Sequence, residues 1–252
     1  FVVFVHFHLF YFSFITTIIN PVLAELPSYI KACKKSDPDI NKCITNTIEN
    51  LRIKLSDGIP ELDAPAIEPL VLKHVRLVRG PEGARLDVNL TDIQVKGPST
   101  FKIRDFKADV DDVTFTFKVS FGVLSFQGKY QINARLLLLR LAGSGDITGN
   151  FTGYDSDVTL HAEKVVKNNE VYLNFEKMKL VIRIGKADIY LSNLFGGDPI
   201  LGPASNQILN ANSNLLLDEI RPVLETALSD LFTDVANKVT NSFTYNELFP
   251  DD

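Results

Sequence analysis

Residues Leu124 to Arg135, LSFQGKYQINAR, alternate strictly. One register holds Leu124, Phe126, Gly128, Tyr130, Ile132 and Ala134; the other holds Ser125, Gln127, Lys129, Gln131, Asn133 and Arg135. Alternate side chains of a strand point to opposite faces, so the pattern predicts a strand with one dry and one wet face. Gly128 and Ala134 leave room among the large residues of the dry face, and a ring placed at Ala134 is expected to sit in free space. Just upstream, Phe115, Phe117, Val119 and Phe121 alternate with Thr116, Lys118 and Ser120. Gly122 then reads as the turn that folds the two segments into a hairpin. The period of two runs from about Leu70 to Leu191, with further strands at Leu86–Thr91, Phe101–Ile103, Ile147–Tyr154, Val158–Val165, Val171–Lys177 and Leu180–Leu191. Short turns such as Lys167-Asn168-Asn169 join them with no helix between, which predicts an antiparallel meander.

Either side of this region the period becomes helical. Ile44, Ile48, Leu51 and Leu55 mark a helix over Asn41 to Leu55, closed by Asp57-Gly58 and Pro60. From Gln207 to about Phe243 apolar residues recur at threes and fours, predicting a helix of about 35 residues and roughly 50 Å, with Pro222 expected to kink or break it. A sheet with a dry face and a helix with a wide apolar stripe each need covering. The predicted fold class is therefore α+β, a long C-terminal helix wrapped by a highly curved antiparallel β-sheet. Patterning leaves open whether the space between them is a packed core or an internal hydrophobic tunnel.

Composition narrows the function classes. The 252 residues are 45% hydrophobic and 23% charged, with a formal net charge of −5, enough for a sizeable core and poorly suited to nucleic acid. Residues 1–24 contain no Lys, Arg, Asp or Glu and end in Val22-Leu23-Ala24 before Glu25, which predicts a signal peptide cut after Ala24 and a single domain over 25–252. The rival is an uncleaved apolar anchor, making the chain a membrane-attached lipid-binding module. Export would put Cys33 and Cys43 in an oxidising compartment, where cysteines at this spacing are expected to pair. Asn89-Leu90-Thr91 and Asn150-Phe151-Thr152 are glycosylation candidates.

Motifs for chemistry are weak. Gly143, Gly145 and Gly149 echo a dinucleotide loop but open a strand, where a phosphate loop must open a helix. No G-x-S-x-G elbow exists, and His74 and His161 fall in predicted strands. Asp111-Asp112 and Asp155-x-Asp157 lack the spacing of a calcium loop. The reading is a non-enzyme with no cofactor and no metal. An esterase using His74 or His161 as base is the catalytic rival.

Three segments carry a family resemblance. CKKSDPDINKCI with LSDGIPELDAPAIEPL, the central stretch GPSTFKIRDFKADVDDVTFTFKVSFGVLSFQGKYQINARLLLLRLAGSGD, and NLFGGDPILGPASNQILNANSNLLLDEIRP occur in order. Together they resemble the Takeout and juvenile-hormone-binding protein family of insects. Gly122 stands where that family has a proline, and Arg140-Leu141-Ala142 where it has a proline-containing triplet. With Cys33 and Cys43 as the only cysteines, the likeness points to the Takeout-like branch.

The resemblance implies a secreted, extracellular, monomeric carrier. Its partner would be a small hydrophobic ligand, terpenoid or fatty-acyl, held in an internal tunnel, in circadian or feeding-related signalling, with no nucleic acid and no stable membrane insertion. The expected tunnel lining is Phe115, Phe117, Val119, Phe121, Leu124, Phe126, Tyr130, Ile132 and Ala134 from the sheet. From the helix it is Leu216, Ile220, Val223, Leu224, Leu228, Leu231 and Phe232.

Overall fold

The structure is a computed structural model that describes residues 26–79, 86–136 and 139–251. The expected signal segment, residues 1–24, lies outside them. Helix α1 (Ile40–Asp57) is followed by strands β1 (Leu70–Arg79), β2 (Leu86–Lys96), β3 (Lys102–Asp109), β4 (Thr114–Leu136), β5 (Leu139–Lys167), β6 (Glu170–Phe175), β7 (Lys179–Arg183) and β8 (Lys186–Leu191). Helices α2 (Leu201–Ala211), α3 (Ser213–Thr240) and α4 (Tyr245–Leu248) complete the chain. All eight strands belong to one antiparallel sheet.

The two long strands form a spine. β4 pairs with β5 along its whole length, from Thr114↔His161 to Leu136↔Leu139. On its other edge β4 meets β3 with its first half and β2 with its second half. β5 likewise carries β6, β7 and β8 in succession. Register shifts interrupt β2 between Thr91 and Gln94 and β3 between Arg104 and Lys107, around Asp92 and Asp105, both with left-handed φ. Such bulges increase local twist and help curl the sheet into a half-barrel.

Two expectations are corrected here. Gly122 is no turn: β4 runs straight through it, and the strands expected at Ile147–Tyr154 and Val158–Val165 are one strand, β5. The inward register nevertheless changes parity, from Phe115, Phe117, Val119 and Phe121 to Leu124, Phe126, Tyr130 and Ile132. A strict two-residue period forbids that change unless the chain is creased. Phe121 pairs with Tyr154 and Val123 with Thr152, so Gly122 stands opposite Gly153, whose φ is +64°. Gly185, between β7 and β8, donates its N–H to Thr152 O at 3.1 Å and Gly153 O at 3.2 Å. Three glycines, on β4, on β5 and in the link between β7 and β8, thus mark one crease, and β5 and the β7–β8 pair change parity there with β4.

The second correction concerns the C-terminal helix. The chain breaks at Asn212, between α2 and α3, and Pro222 sits inside continuous α3. Asn212 ends α2 by donating its Nδ2 to Ile208 O at 2.8 Å, a side chain competing with the backbone ladder. The N–H that Pro222 lacks would have served the carbonyl of Asp218, an exposed residue.

A polar stripe fastens the helices to the sheet. Asn206 accepts from Leu191 N at 2.9 Å and donates to Leu191 O at 2.9 Å; Asn210 does the same with Ile189 at 2.7 and 2.8 Å. Four helical residues advance about 6 Å and two strand residues nearly 7 Å, so successive amides meet alternate residues of the edge strand. Along α3, Glu225 accepts from Ile182 N, Thr233 from Met178 N and Asn237 from Phe175 N, at 2.8, 2.8 and 2.7 Å. Side-chain amides, a hydroxyl and a carboxylate complete a sheet edge that would otherwise be open.

A divided apolar interior as the candidate ligand site

Two cavities lie between α3 and the sheet, one on each side of the glycine crease. The first has a volume of about 370 Å³. Its sheet wall is Phe115, Phe117, Val119, Phe121, Tyr154, Ser156, Val158 and Leu160, its helix wall Leu231, Phe232, Val235 and Val239. Helix α1 closes it with Ile44, Ile48, Leu51 and Leu55, and the segment around Pro98 and Phe101 adds a rim. The Cys33–Cys43 disulfide ties the N-terminal arm to α1 beside this cavity. The second has a volume of about 650 Å³ and is lined by β1 and β2 (Leu72, Val75, Leu77, Val88, Leu90, Ile93), by Phe126, Tyr130, Ile132 and Phe151, and by Leu215, Leu216, Ile220 and Leu224. The Phe126 and Phe151 rings, 4.8 Å apart, stand at its crease end, and the Phe121 and Tyr154 rings, 5.0 Å apart, stand at the facing end of the first. Buried Leu124 lies between them.

The polar groups inside are few and mostly committed. Thr47 and Thr240 donate to backbone oxygens of their own neighbourhoods. Tyr130 donates its hydroxyl to Ser192 O at 2.5 Å. Burial pushes the Tyr154 phenol up to about 12, against a smaller opposing effect of the Ser156 hydroxyl donating to it. It therefore stays neutral at any physiological pH. The outer face is the reverse, with Arg183 bridging Asp155 and Asp157 and Arg104 paired to Asp155.

The structure places the expected lining residues in three groups. Phe115, Phe117, Val119, Phe121, Leu231 and Phe232 border the first cavity; Phe126, Tyr130, Ile132, Leu216, Ile220 and Leu224 border the second. Leu124, Ala134, Val223 and Leu228 border neither and pack into the clusters around them. The expected gaps are corrected as well. A Cβ on Gly128 would come within 2.5 Å of Ile93 Cδ1, so a neighbouring strand fills that space. Ala134 is 3% exposed in a packed cluster. Sequence reasoning missed α1, β1 and β2 as walls, although the stripe Ile44, Ile48, Leu51, Leu55 and the alternation through Val88 and Leu90 were visible.

His161 Nδ1 lies 2.9 Å from Thr114 Oγ1 and His74 is exposed on β1. Asn150 is exposed on β5 and Asn89 half-buried in β2. Among the described residues, no group of three or more His, Cys, Asp or Glu could hold a metal, and no helix is long and apolar enough to cross a membrane.

Comparison with known proteins identifies the architecture. The family model described as haemolymph juvenile hormone binding protein matches residues 9–250. The chain is 24% identical over 231 residues to the "Circadian clock-controlled protein daywake" of Drosophila melanogaster and, at the same identity and length, to that of Drosophila yakuba, covering 88% of each chain. The crystal structure of Epiphyas postvittana Takeout 1 superposes with a TM-score of 0.75 at 19% identity, over 88% of this chain and 100% of that one. The chain belongs to the haemolymph juvenile hormone binding protein family, and with that membership is a secreted, non-catalytic carrier of hydrophobic ligands.

Proposed function

We propose that the two cavities form one interrupted tunnel for a single long apolar ligand, terpenoid or fatty-acyl. The observation that carries this reading is their alignment along one helix. From Leu216 in the second cavity to Val239 in the first, α3 spans about 35 Å, so the two spaces lie end to end along one helix. The Phe121–Tyr154 and Phe126–Phe151 ring pairs and Leu124 stand between the two spaces, and a turn of Phe126 and Phe151, whose side chains form no hydrogen bonds, would open a path between them. Affinity would come from burial, at roughly 25 cal/mol per Å² of apolar area. In this reading residues 1–24 are removed and the mature domain begins at Glu25, which N-terminal sequencing of the secreted protein tests.

Native mass spectrometry after gentle purification should show one lipid per chain. Protein that carries nothing and refuses both long fatty acids and terpenoids would overturn the proposal. Two short ligands bound together would overturn its continuous-tunnel part.

A further inference from the structure

Helix α2 is amphipathic in the wrong sense. A surface helix ordinarily buries its apolar stripe and shows its polar one. α2 buries Gly202, Ser205, Asn206 and Leu209 against β8, and turns Leu201 and Ile208 outward, 51% and 43% exposed. Ile200 just before it is 76% exposed and Leu215 just after it 44%. Moreover, Pro199 to Leu217 contains no charged residue at all, in a chain that is 23% charged. Solvation does not explain nineteen uncharged positions with large aliphatic side chains turned outward.

We propose that this face docks on a zwitterionic phospholipid bilayer, from which the carrier loads and to which it delivers its ligand. Three observations select that occupant. First, the exposed aliphatic run reaches the interior: Leu215, just past the end of α2, is exposed and also lines the second cavity, next to which Asp218 and Glu219 stand. Second, the patch carries no charge of its own and is flanked in sequence by Asp198 and by Asp218, which pairs with Arg221 at 2.6 Å, so it offers no unpaired basic group to an anionic headgroup layer and suits an uncharged one. Third, it is too small for a second copy of the chain. An eleven-residue helix is about 16 Å long and about 10 Å wide, against roughly 800 Å² per partner in a stable dimer. A short helix lying in the interfacial plane with its aliphatic side chains in the acyl boundary fits these dimensions. The path inward rests on the carrier reading; the docking face does not.

The test uses the whole protein carrying an anthroyloxy-labelled stearic acid, mixed with phosphatidylcholine vesicles. The transfer rate should rise in proportion to vesicle concentration. Ile200→Asp combined with Ile208→Asp should lower it at least tenfold with probe affinity unchanged. Ile200→Ser, at the most exposed position and harmless to the fold, should lower it about threefold. A rate independent of vesicle concentration, or wild-type transfer by the double variant, overturns the proposal. So does a dimer in sedimentation that the double variant dissociates without altering transfer. Flotation with the same vesicles separates the two readings. A chain that floats but refuses the probe overturns the carrier reading alone; one that binds the probe but neither floats nor transfers by collision overturns this one.

Discussion

The two cavities share one sheet and one helix, yet they are built differently. The first is walled by rings, including Phe101, Phe106, Phe115, Phe117, Phe121, Phe175 and Phe232, and is shut by α1 and by the arm held through Cys33–Cys43. The second is walled mainly by Leu, Ile and Val of β1, β2 and α3, with Asp218 and Glu219 on its border. Rings have few rotamers and keep a fixed shape, whereas aliphatic chains adapt to a guest. In the proposed tunnel the first cavity would therefore be the shape-selective end and the second the adaptable end. The difference teaches that one alternating pattern can make two kinds of site, depending on which neighbouring element closes it.

Removing the disulfide should break the comparison most strongly. Cys33→Ser with Cys43→Ser frees the arm and should cost about 2–3 kcal/mol in chemical unfolding. Probe binding at the ring-lined end should weaken while the aliphatic end is spared; equal loss at both ends would show that the halves are mechanically one. Ala134→Phe comes next, since the ring enters a packed cluster and not the free space that the alternation implied. A cost of about 1–3 kcal/mol in thermal or urea unfolding is expected, and an unchanged Tm would reopen the gap at that position.

Glu68 then tests the rim of the first cavity. Its carboxylate accepts from Gly97 N at 2.9 Å, Ser99 N at 3.2 Å and Ser99 Oγ at 2.8 Å. Burial alone would raise its pKa, but these donors outweigh burial and hold it below the ordinary glutamate value. A lowered folded-state pKa gives stability that is present above the unfolded value and is lost as pH falls through the folded one. Glu68→Gln should cost about 1–2 kcal/mol at neutral pH, and the difference should close in acid below the ordinary glutamate range. The smallest stability effect, under about 1 kcal/mol, is expected for Val119→Phe in the first cavity and Leu90→Phe in the second, because each fills open space. Their binding effects sharpen the comparison. One ligand spanning both cavities is weakened by either variant, whereas two separate ligands are each lost to one variant only.

Several elements were legible from local pattern. The alternation from Phe115 to Ala134 identifies inward residues on both sides of Gly122, and the stripe of α1 is plain in Ile44, Ile48, Leu51 and Leu55. What failed was connectivity. A glycine between two strand patterns of opposite parity is as consistent with a turn as with a crease. Only the facing Gly153, thirty-one residues later, and Gly185 beyond it decide for the crease. The same limit applies to Gly128, whose missing side chain is replaced by Ile93 from another strand.

Local chemistry by itself determined which residues face inward, where the long amphipathic helix lies and which two cysteines can join, since each depends on neighbours a few positions away. Tertiary structure alone decided that the interior is divided, that α1 and β1 help wall it, and that Asn206, Asn210 and Asn237 complete strand edges. It also decided that α2 turns its aliphatic side chains outward. These depend on which strand or helix arrives opposite a given residue, and period and propensity do not encode that partner.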